Sequence, residues 1–435
     1  MDYFWFRRDL RLDDNIGLLE ALKYGKNIQC VFIFDTSILS KLPSKKDKRV
    51  SFIFDKITEL KNQLIEFHSD LRIYIGNPID IWSEVLKEGD ALFFNKDYEP
   101  LARERDSAIQ KIVEENGAKI FCFKDQVIFE ENEILNKQNQ VYTVFTPYSK
   151  KWLLEFEKLN LQFHDNFDFS LNLNKVDKPL PMPSLKEIGF LKVVYPNIET
   201  NWTENCIKHY EETRDNLSLD EGTSRLGVAL RFGLISIRKL VLAANKWNQT
   251  YLKELIWREF FMQILYHFPQ TINTSFKPEY DLIEWRNDES DFKKWCRGET
   301  GVPIVDAGMK QLNQTGYMHN RVRMIVASYL TKNLLIHWTW GEAYFAEKLM
   351  DYEQASNVGN WQWAAGSGCD AAPYFRVFNP LEQMKKFDSK GDYVQKFSPE
   401  SVFFDKDKLL KELLITRDRA LKTYKYGLIR AREAF

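Results

Sequence analysis

The pattern of apolar and polar positions changes near the middle of the chain and divides it in two. In residues 2 to 125, short apolar runs alternate with amphipathic stretches. The runs YFWF (3–6), NIQCVFIFD (27–35), LRIYIG (71–76), ALFFN (91–95) and KIFCF (119–123) have the continuity of buried strands. Between them, 15–24, 48–68, 78–88 and 101–117 space their apolar residues as helices do. Strands alternating with helices predict βαβ units and an open, parallel, Rossmann-like sheet. Residues 126 to 200 lose the alternation. There KPLPMP (178–183) and VYPN (194–197) add proline, and DNFDFSLNLN (165–174) is polar and irregular. This reads as a surface connector with one helix near Ser149–Lys158. From about residue 201 the pattern is helical, in segments of about 12–20 residues, without strand alternation. The expected organisation is an α/β domain over 1–128, a connector over 129–200 and an all-helical domain over 201–435.

Length and composition agree with two domains. At 435 residues the chain exceeds the usual single-core limit, and its 44% hydrophobic content is enough for two cores. No apolar run reaches the roughly 18 residues of a membrane span, and MDYFWFRRDLRL is not a signal peptide. Cys30, Cys122, Cys206, Cys296 and Cys369 are odd in number and form no CxxC pair. That spacing argues for a reducing, cytoplasmic location and against structural zinc or an iron–sulfur cluster. The formal charge of −1 excludes a DNA-coating protein but allows a local basic patch. The 14% aromatic content, with 12 tryptophans, asks for a reason.

Candidate chemistry is sparse in the first half. The strand-to-helix turns contain neither GxGxxG nor GxxxxGK[ST], which makes an ordinary dinucleotide or P-loop site unexpected. In RRDLRLDDN (7–15), Arg7, Arg8 and Arg11 could bind an anion; the nearby Asp9, Asp13 and Asp14 favour a salt-bridged turn. NKDYEP (95–100) follows the fourth strand, where open sheets place ligands.

The second half carries four candidate sites. In EGTSRLGVALRFGLIS (221–236), Thr223 and Ser224 stand where a helix start could receive a phosphate or simply be capped. In YLKELIWREFFMQIL (251–265), Glu254, Trp257, Arg258 and Phe261 share a helical face, a poor core and a good binding wall. In GYMHNRVRMIVASYL (316–330), Asn320 and Met324 share a face flanked by Arg321 and Arg323, suited to an amide-like edge and an apolar contact. His319 there reads as a hydrogen-bonded core residue. The stretch Asp351–Pro380 gathers Asp351, Glu353, Trp361 and Trp363 among small residues, and the acids could hold Arg323 or ligand hydroxyls. Trp361 and Trp363 are about 200° apart on a helix and so face different partners.

FWFRRDLRLDDN, EGTSRL, ELIWREF, TGYMHNRVRM, LLIHW and SNVGNWQWAAGSGCDAAPYFRVFNP, taken in order, resemble the DNA photolyase/cryptochrome family. The resemblance spans almost the whole chain and is most specific over residues 221–380. It implies an N-terminal α/β antenna domain and a C-terminal helical domain that binds FAD. The residues matching flavin contacts are Tyr210, Thr223, Ser224, Arg225, Leu226, Gly227, Arg323, Asp351, Tyr352, Glu353 and Asn357, the last facing flavin N5. Trp361, Trp338 and Trp285 match the chain that carries an electron from the surface to the flavin.

Within the family, Glu254, Trp257, Asn320, Met324 and Trp363 match the cavity that receives a cyclobutane pyrimidine dimer. A (6-4) photoproduct enzyme typically has His where Asn320 stands, and plant-type cryptochromes usually lose the Trp363 aromatic. The resemblance therefore implies light-driven dimer repair by electron transfer from excited, reduced FAD. Glu254 is expected to stabilise charge on a pyrimidine carbonyl. Arg214, Arg258, Arg321, Gln383 and Lys386 are the expected contacts to UV-damaged DNA. Glu353 stands where Asp is common, Gly227 where Ser is frequent and Tyr251 where Trp is often found. Leu101 and Ala102 occupy the positions of the Asn-Glu pair of folate-binding members. A second antenna chromophore is thus expected to be a deazaflavin or FMN rather than methenyltetrahydrofolate, or to be absent. The alternative is a blue-light cryptochrome, against which stand the full cavity set and the chain's end at Phe435 without a long tail. A monomer without obligate protein partner is expected.

Overall fold

The structure, a computed structural model, describes residues 1–164, 172–199 and 201–434, so most of DNFDFSLNLN lies outside the described residues. The chain forms two compact units, and neither is a continuous stretch. The first comprises Met1–Glu133, Leu153–Asn201 and Arg225–Lys246. The second comprises Ile134–Trp152, Trp202–Ser224 and Trp247–Phe435.

The first unit is built on five strands, β1 (Asp2–Phe6), β2 (Ile28–Asp35), β3 (Leu71–Gly76), β4 (Ala91–Asn95) and β5 (Lys119–Phe123). Their order is β3-β2-β1-β4-β5, and every pairing is parallel. The inner strands β1, β2 and β4 are almost wholly buried, while β3 and β5 lie at the edges and are partly exposed. This is why the inner runs read as unbroken apolar sequence. Helices Ile16–Tyr24, Lys48–Glu66, Pro78–Val85 and Pro100–Glu115 make the crossovers. The side chains of Asn15, Asp47 and Asn77 accept backbone N–H bonds at the first three of these helix starts.

The arginines of the first turn are salt-bridged, but to partners other than the acids beside them. Arg7 donates to both carboxylate oxygens of Asp106 at 2.6 and 2.8 Å. Arg8 reaches Asp97 at 3.4 Å and Glu99 at 3.2 Å, and Arg11 donates to Asp125 at 2.7 Å. Asp9 instead accepts from the Arg7 N–H and the Asn95 amide, while Asp14 pairs with Arg238 at 2.8 Å. Residues in so short a turn point different ways, and each charge finds its counter-charge on another element. The same pairing draws 225–246 into this unit. Arg231 bonds Glu99 at 2.5 Å, and Arg238 bridges Asp14 and Asp125. Gly233 passes so close that a Cβ there would lie 2.4 Å from the Arg8 carbonyl oxygen, at φ +60°.

Among the described residues, the regular structure of the second unit is helical apart from a bridge between Leu135 and Val141. Its longest helices are Gln249–His267 and Lys406–Ala434, with Pro303–Thr315, Asn320–Ser328, Trp338–Lys348 and Gln354–Ala365 packed around its core. Lengths range more widely than the periodicity suggests, because Pro269, Pro278, Pro303 and Pro380 each start an element. Gly298, Gly316 and Gly366 end others at positive φ. Trp295, Trp338 and Trp361 lie in that core with Val326, Leu330 and Phe345. All five cysteines are free. Among the described residues no helix is long and apolar enough to cross a membrane.

The buried acids make one prediction about pH. Burial alone would raise the Asp97 carboxyl, but Arg8, Arg7, Arg231 and Arg105 outweigh it and hold it down to about 2. A depressed carboxylate contributes stability above its unfolded value near 3.8 and loses it as pH falls toward 2. Urea unfolding between pH 5 and pH 2 should therefore show a shallower acid limb in Asp97→Asn than in the parent protein.

Candidate functional site

The Gln249–His267 helix starts at Asn248, whose side chain accepts the Tyr251 N–H at 3.0 Å. Most of the helix is buried, but Glu254, Trp257 and Arg258 are only partly covered. Glu254 is paired with Arg214 at 2.5 Å, which joins a residue expected in the lesion cavity to one expected on the DNA backbone. In that pairing the carboxylate accepts, and the available N–H groups belong to Arg214. Arg258, expected on the DNA backbone, is turned inward instead. Its Nε lies 3.3 Å from Glu353 Oε2, with both side chains largely buried. A guanidinium so enclosed is not an outward-facing cation.

Trp257 is held by rings on several sides. Phe145 stacks on it with centroids 3.6 Å apart and planes 6° from parallel. Phe261 lies at 5.3 Å and 29°, and Phe260 presents an edge at 5.6 Å. Trp152 donates its indole N–H to Glu259 Oε1 at 2.6 Å, tying the Phe145–Lys158 helix to the Gln249–His267 helix. Asn320 is exposed and Met324 partly exposed on the Asn320–Ser328 helix. Between them Arg321 bonds Asp215 at 2.6 Å, with Nη1 3.7 Å from Met324 Sδ. His319 is buried and caps this helix, its Nδ1 accepting the Arg321 N–H at 3.2 Å; that is the structural role its sequence suggests. Trp363 is partly exposed, 6.4 Å from Phe378. Gln383 and Lys386 lie on the Pro380–Phe387 helix, the lysine exposed.

A second group of residues gathers around Asp351. Arg323 donates to Asp351 Oδ2 at 2.8 Å and to the Met318 carbonyl at 2.7 Å. Asp351 Oδ1 is buried without a protein partner, the condition of an acceptor waiting for a ligand O–H or N–H. Asn357 donates through Nδ2 to Glu342 Oε1 at 2.9 Å and to the Glu342 carbonyl at 3.1 Å. The Tyr352 hydroxyl reaches the same Glu342 oxygen at 3.4 Å. With its nitrogen committed, Asn357 has its carbonyl oxygen left to offer. Burial raises the Glu342 carboxyl, against the pull of Asn357 and Tyr352.

Thr223 and Ser224 do not cap a helix. Ser224 shares a hydrogen bond with the Tyr251 hydroxyl at 2.7 Å, and Thr223 lies 3.5 Å from that of Tyr317. Tyr210 meets Tyr251 edge-on at 5.0 Å, with the Arg214 guanidinium 5.4 Å from its ring centre. Arg225, at φ +51°, Leu226 and Gly227 belong to the first unit and lead into a helix of only five residues. So short a helix has little dipole. Of the two readings the sequence left open, capping is not observed, and a phosphate here would rely on hydroxyls and backbone N–H groups rather than on a helix dipole.

The three tryptophans run from partial to full burial. Trp285 is partly buried, Trp338 is fully buried and Trp361 is 2% exposed. His337 makes ring contact with both Trp285, at 5.2 Å, and Trp338, at 5.7 Å. Burial lowers its pKa, more than Asp281 raises it, so the imidazole adds no charge there at neutral pH. The indole N–H groups of Trp285 and Trp338 are buried without an acceptor, whereas Trp295, 6.1 Å from Trp361, donates to the Val326 carbonyl at 3.2 Å.

Phe145, Glu259, His337 and Glu342 escaped the sequence reading. His337 lay within LLIHW beside Trp338 and could have been found there. Phe145 lay in what reads as connector, with no periodic signal. One consequence of the geometry is testable at once: Arg258→Met would leave Glu353 buried without its cation. It should lower stability by about 3 kcal/mol in urea unfolding.

Residues 3–166 match the family described as DNA photolyase, and residues 251–428 match the FAD binding domain of DNA photolyase. A deoxyribodipyrimidine photo-lyase from Halobacterium salinarum is 36% identical, the match covering 92% of this chain and 89% of that protein. A bacterial class III photolyase from Agrobacterium tumefaciens superposes with a TM-score of 0.81 at 31% identity, over 98% of this chain and 97% of that one. An archaeal photolyase from Sulfolobus tokodaii, solved with two FAD molecules, gives a TM-score of 0.79 at 31% identity over 100% of both chains.

Proposed function

The chain belongs to the DNA photolyase family, and we propose that it is a deoxyribodipyrimidine photo-lyase acting on cyclobutane pyrimidine dimers in DNA. The observation that carries this reading is the partly open wall of the Gln249–His267 helix. It offers a flat indole, Trp257, next to the hydrogen-bond donors that Glu254 holds in place on Arg214. A non-planar, apolar lesion with two carbonyl edges fits such a wall.

FAD, when bound, supplies the light-absorbing electron donor. The polar groups around Asp351 fit it. Asp351 Oδ1 is an unused buried acceptor, and Arg323 keeps the carboxylate in position. Asn357, fixed by Glu342, presents its carbonyl oxygen to a flavin N–H. Tyr352, Glu353, Tyr210, Thr223, Ser224, Arg225, Leu226 and Gly227 are the remaining proposed contacts. Trp285, Trp338 and Trp361 pass electrons inward. The passage from the partly buried Trp285 to the buried Trp338 and Trp361, with His337 in ring contact with the first two, supports that role.

Trp257 and Trp363 stack on the dimer, Met324 touches its apolar side and Asn320 bonds a base edge. Arg214, oriented by Glu254, donates toward the carbonyl that gains charge, so Glu254 acts by placing donors rather than by donating. The lesion must leave the duplex stack, at a cost reduced by its poor pairing. Arg321, Gln383 and Lys386 contact phosphates, and Arg258 supports the wall from behind through Glu353.

A second chromophore in the sheet domain would be a deazaflavin or FMN. Leu101, 60% exposed, and the buried Ala102 offer no polar group for the folate alternative. The proposed functional division remains an antenna domain over 1–128, a connector over 129–200 and a flavin domain over 201–435. A monomer in a reducing cytoplasm, consistent with five free cysteines, completes the reading.

The test is to illuminate the reduced protein with oligo(dT) carrying cyclobutane dimers and to follow recovery of thymine absorbance. Recovery is expected in the parent protein and should fall by at least about tenfold in Glu254→Ala and Trp257→Ala. No light-dependent recovery with FAD bound would refute the proposal. Trp361→Phe should repair normally once reduced chemically but fail to become reduced under light. Raising salt should weaken DNA binding steeply despite the net charge of −1.

A further inference from the structure

We infer that Phe145 is a positioning residue for lesion recognition, because its ring fixes the plane of Trp257 against which the pyrimidine dimer stacks. The inference rests on the reading of Trp257 as a lesion contact. Three independent observations place Phe145 in that role.

The first is the stack itself. Ring centroids 3.6 Å apart with planes 6° from parallel mean direct face-to-face contact. Unconstrained aromatic pairs prefer an offset or edge-on arrangement with centroids farther apart. The surroundings, rather than the pair's own preference, therefore hold this contact. With Phe145 flat on the indole and Phe261 and Phe260 against it at 5.3 and 5.6 Å, a ligand meets only the exposed part of Trp257, whose tilt these rings set.

The second is the anchoring of Phe145. Its backbone N–H, the first of the Phe145–Lys158 helix, donates to Asp370 Oδ2 at 3.1 Å. A carboxylate at a helix start satisfies an otherwise unpaired donor and suits the helix dipole. Asp370 lies 225 residues away and sits at φ +48°, a conformation that L residues rarely adopt. It is held in the Gly366–Pro380 segment that follows the helix bearing Trp363, so this contact links both proposed stacking tryptophans to one frame.

The third is the lock about two turns further on. Trp152 donates to the buried Glu259, two residues past Trp257, at 2.6 Å. The two helices cannot slide past each other without breaking this bond. The Phe145 ring is thus fixed at its backbone by Asp370 and along its helix by Trp152. Phe145 is buried and Trp257 partly exposed, so the phenyl ring supports the indole without meeting solvent.

The test measures dark binding of the FAD-loaded protein to oligo(dT) with and without cyclobutane dimers, by fluorescence anisotropy. Phe145→Leu keeps the apolar volume but removes the flat ring. It should weaken dimer binding about tenfold and leave affinity for undamaged oligo(dT) unchanged, with only a modest fall in the unfolding midpoint from the lost ring contacts. Phe145→Tyr keeps the plane and should restore dimer binding to within about twofold, a rescue that mere filling of space does not predict. Dimer binding unchanged in Phe145→Leu, or lost equally for both oligonucleotides, would overturn the inference. Trp257→Ala separates this from the reading beneath it. If Trp257→Ala loses dimer affinity while Phe145→Leu does not, only the role of Phe145 fails. If Trp257→Ala binds dimers normally, the assignment of the cavity fails first. Should Phe145→Leu not fold, Asp370→Gly carries the test, since glycine accepts φ +48° and removes only the anchor. It should weaken dimer binding about threefold, and unchanged binding would again overturn the inference.

Discussion

Pairing of opposite charges between segments is the constraint on which the functional half of this molecule depends. Arg214 with Glu254, Arg258 with Glu353, Arg321 with Asp215 and Arg323 with Asp351 each join two separate segments. Where the pair is largely enclosed, as for Arg258 with Glu353, a charge withdrawn from water is tolerated only with a partner, and removing one strands the other. The pairs therefore do more than offset desolvation. Arg258 precedes the helical turn of Phe261 and follows Trp257, so the bond to Glu353 also fixes the indole's neighbour. Asp351 precedes Tyr352, so its bond to Arg323 helps set the tyrosine that reaches Glu342.

This arrangement lets a helix show a polar and aromatic wall without collapsing onto its own core. An ordinary apolar stripe at Glu254, Trp257 and Arg258 would pack more simply and bind nothing. The same economy of pairing runs through the sheet unit, where Asp14, Asp97 and Asp125 lie buried among Arg8, Arg11, Arg231 and Arg238. There it joins residues of the first turn to residues more than two hundred positions later.

The tryptophans illustrate how one residue type takes different work from its surroundings. Trp152 and Trp295 are buried with their N–H groups satisfied, and both serve packing. Trp285 and Trp338 are enclosed with theirs unsatisfied, and a neutral histidine lies against both rings. Trp257 has a ring pressed to one face and an exposed portion besides. Composition announced an excess of tryptophan; the rings and charges around each indole distinguish one from another, since Trp82 in the sheet core also leaves its N–H without an acceptor.

The sequence by itself determined the five strands to within a residue or two, the four crossover helices, the helical second half and the family. It could do so because burial on two faces, helical spacing and ordered motifs are properties of neighbouring positions. It also placed Glu254, Trp257 and Arg258 on one face and expected Arg323 beside Asp351. Tertiary structure alone decided that Arg7 takes Asp106 rather than Asp9, that Arg258 turns inward to Glu353 and that Phe145 lies flat on Trp257. Each of these joins residues about a hundred positions apart, and no periodicity reports such a distance. A repeat of 3.6 or 2 says which way a side chain points; only the folded chain says what it meets.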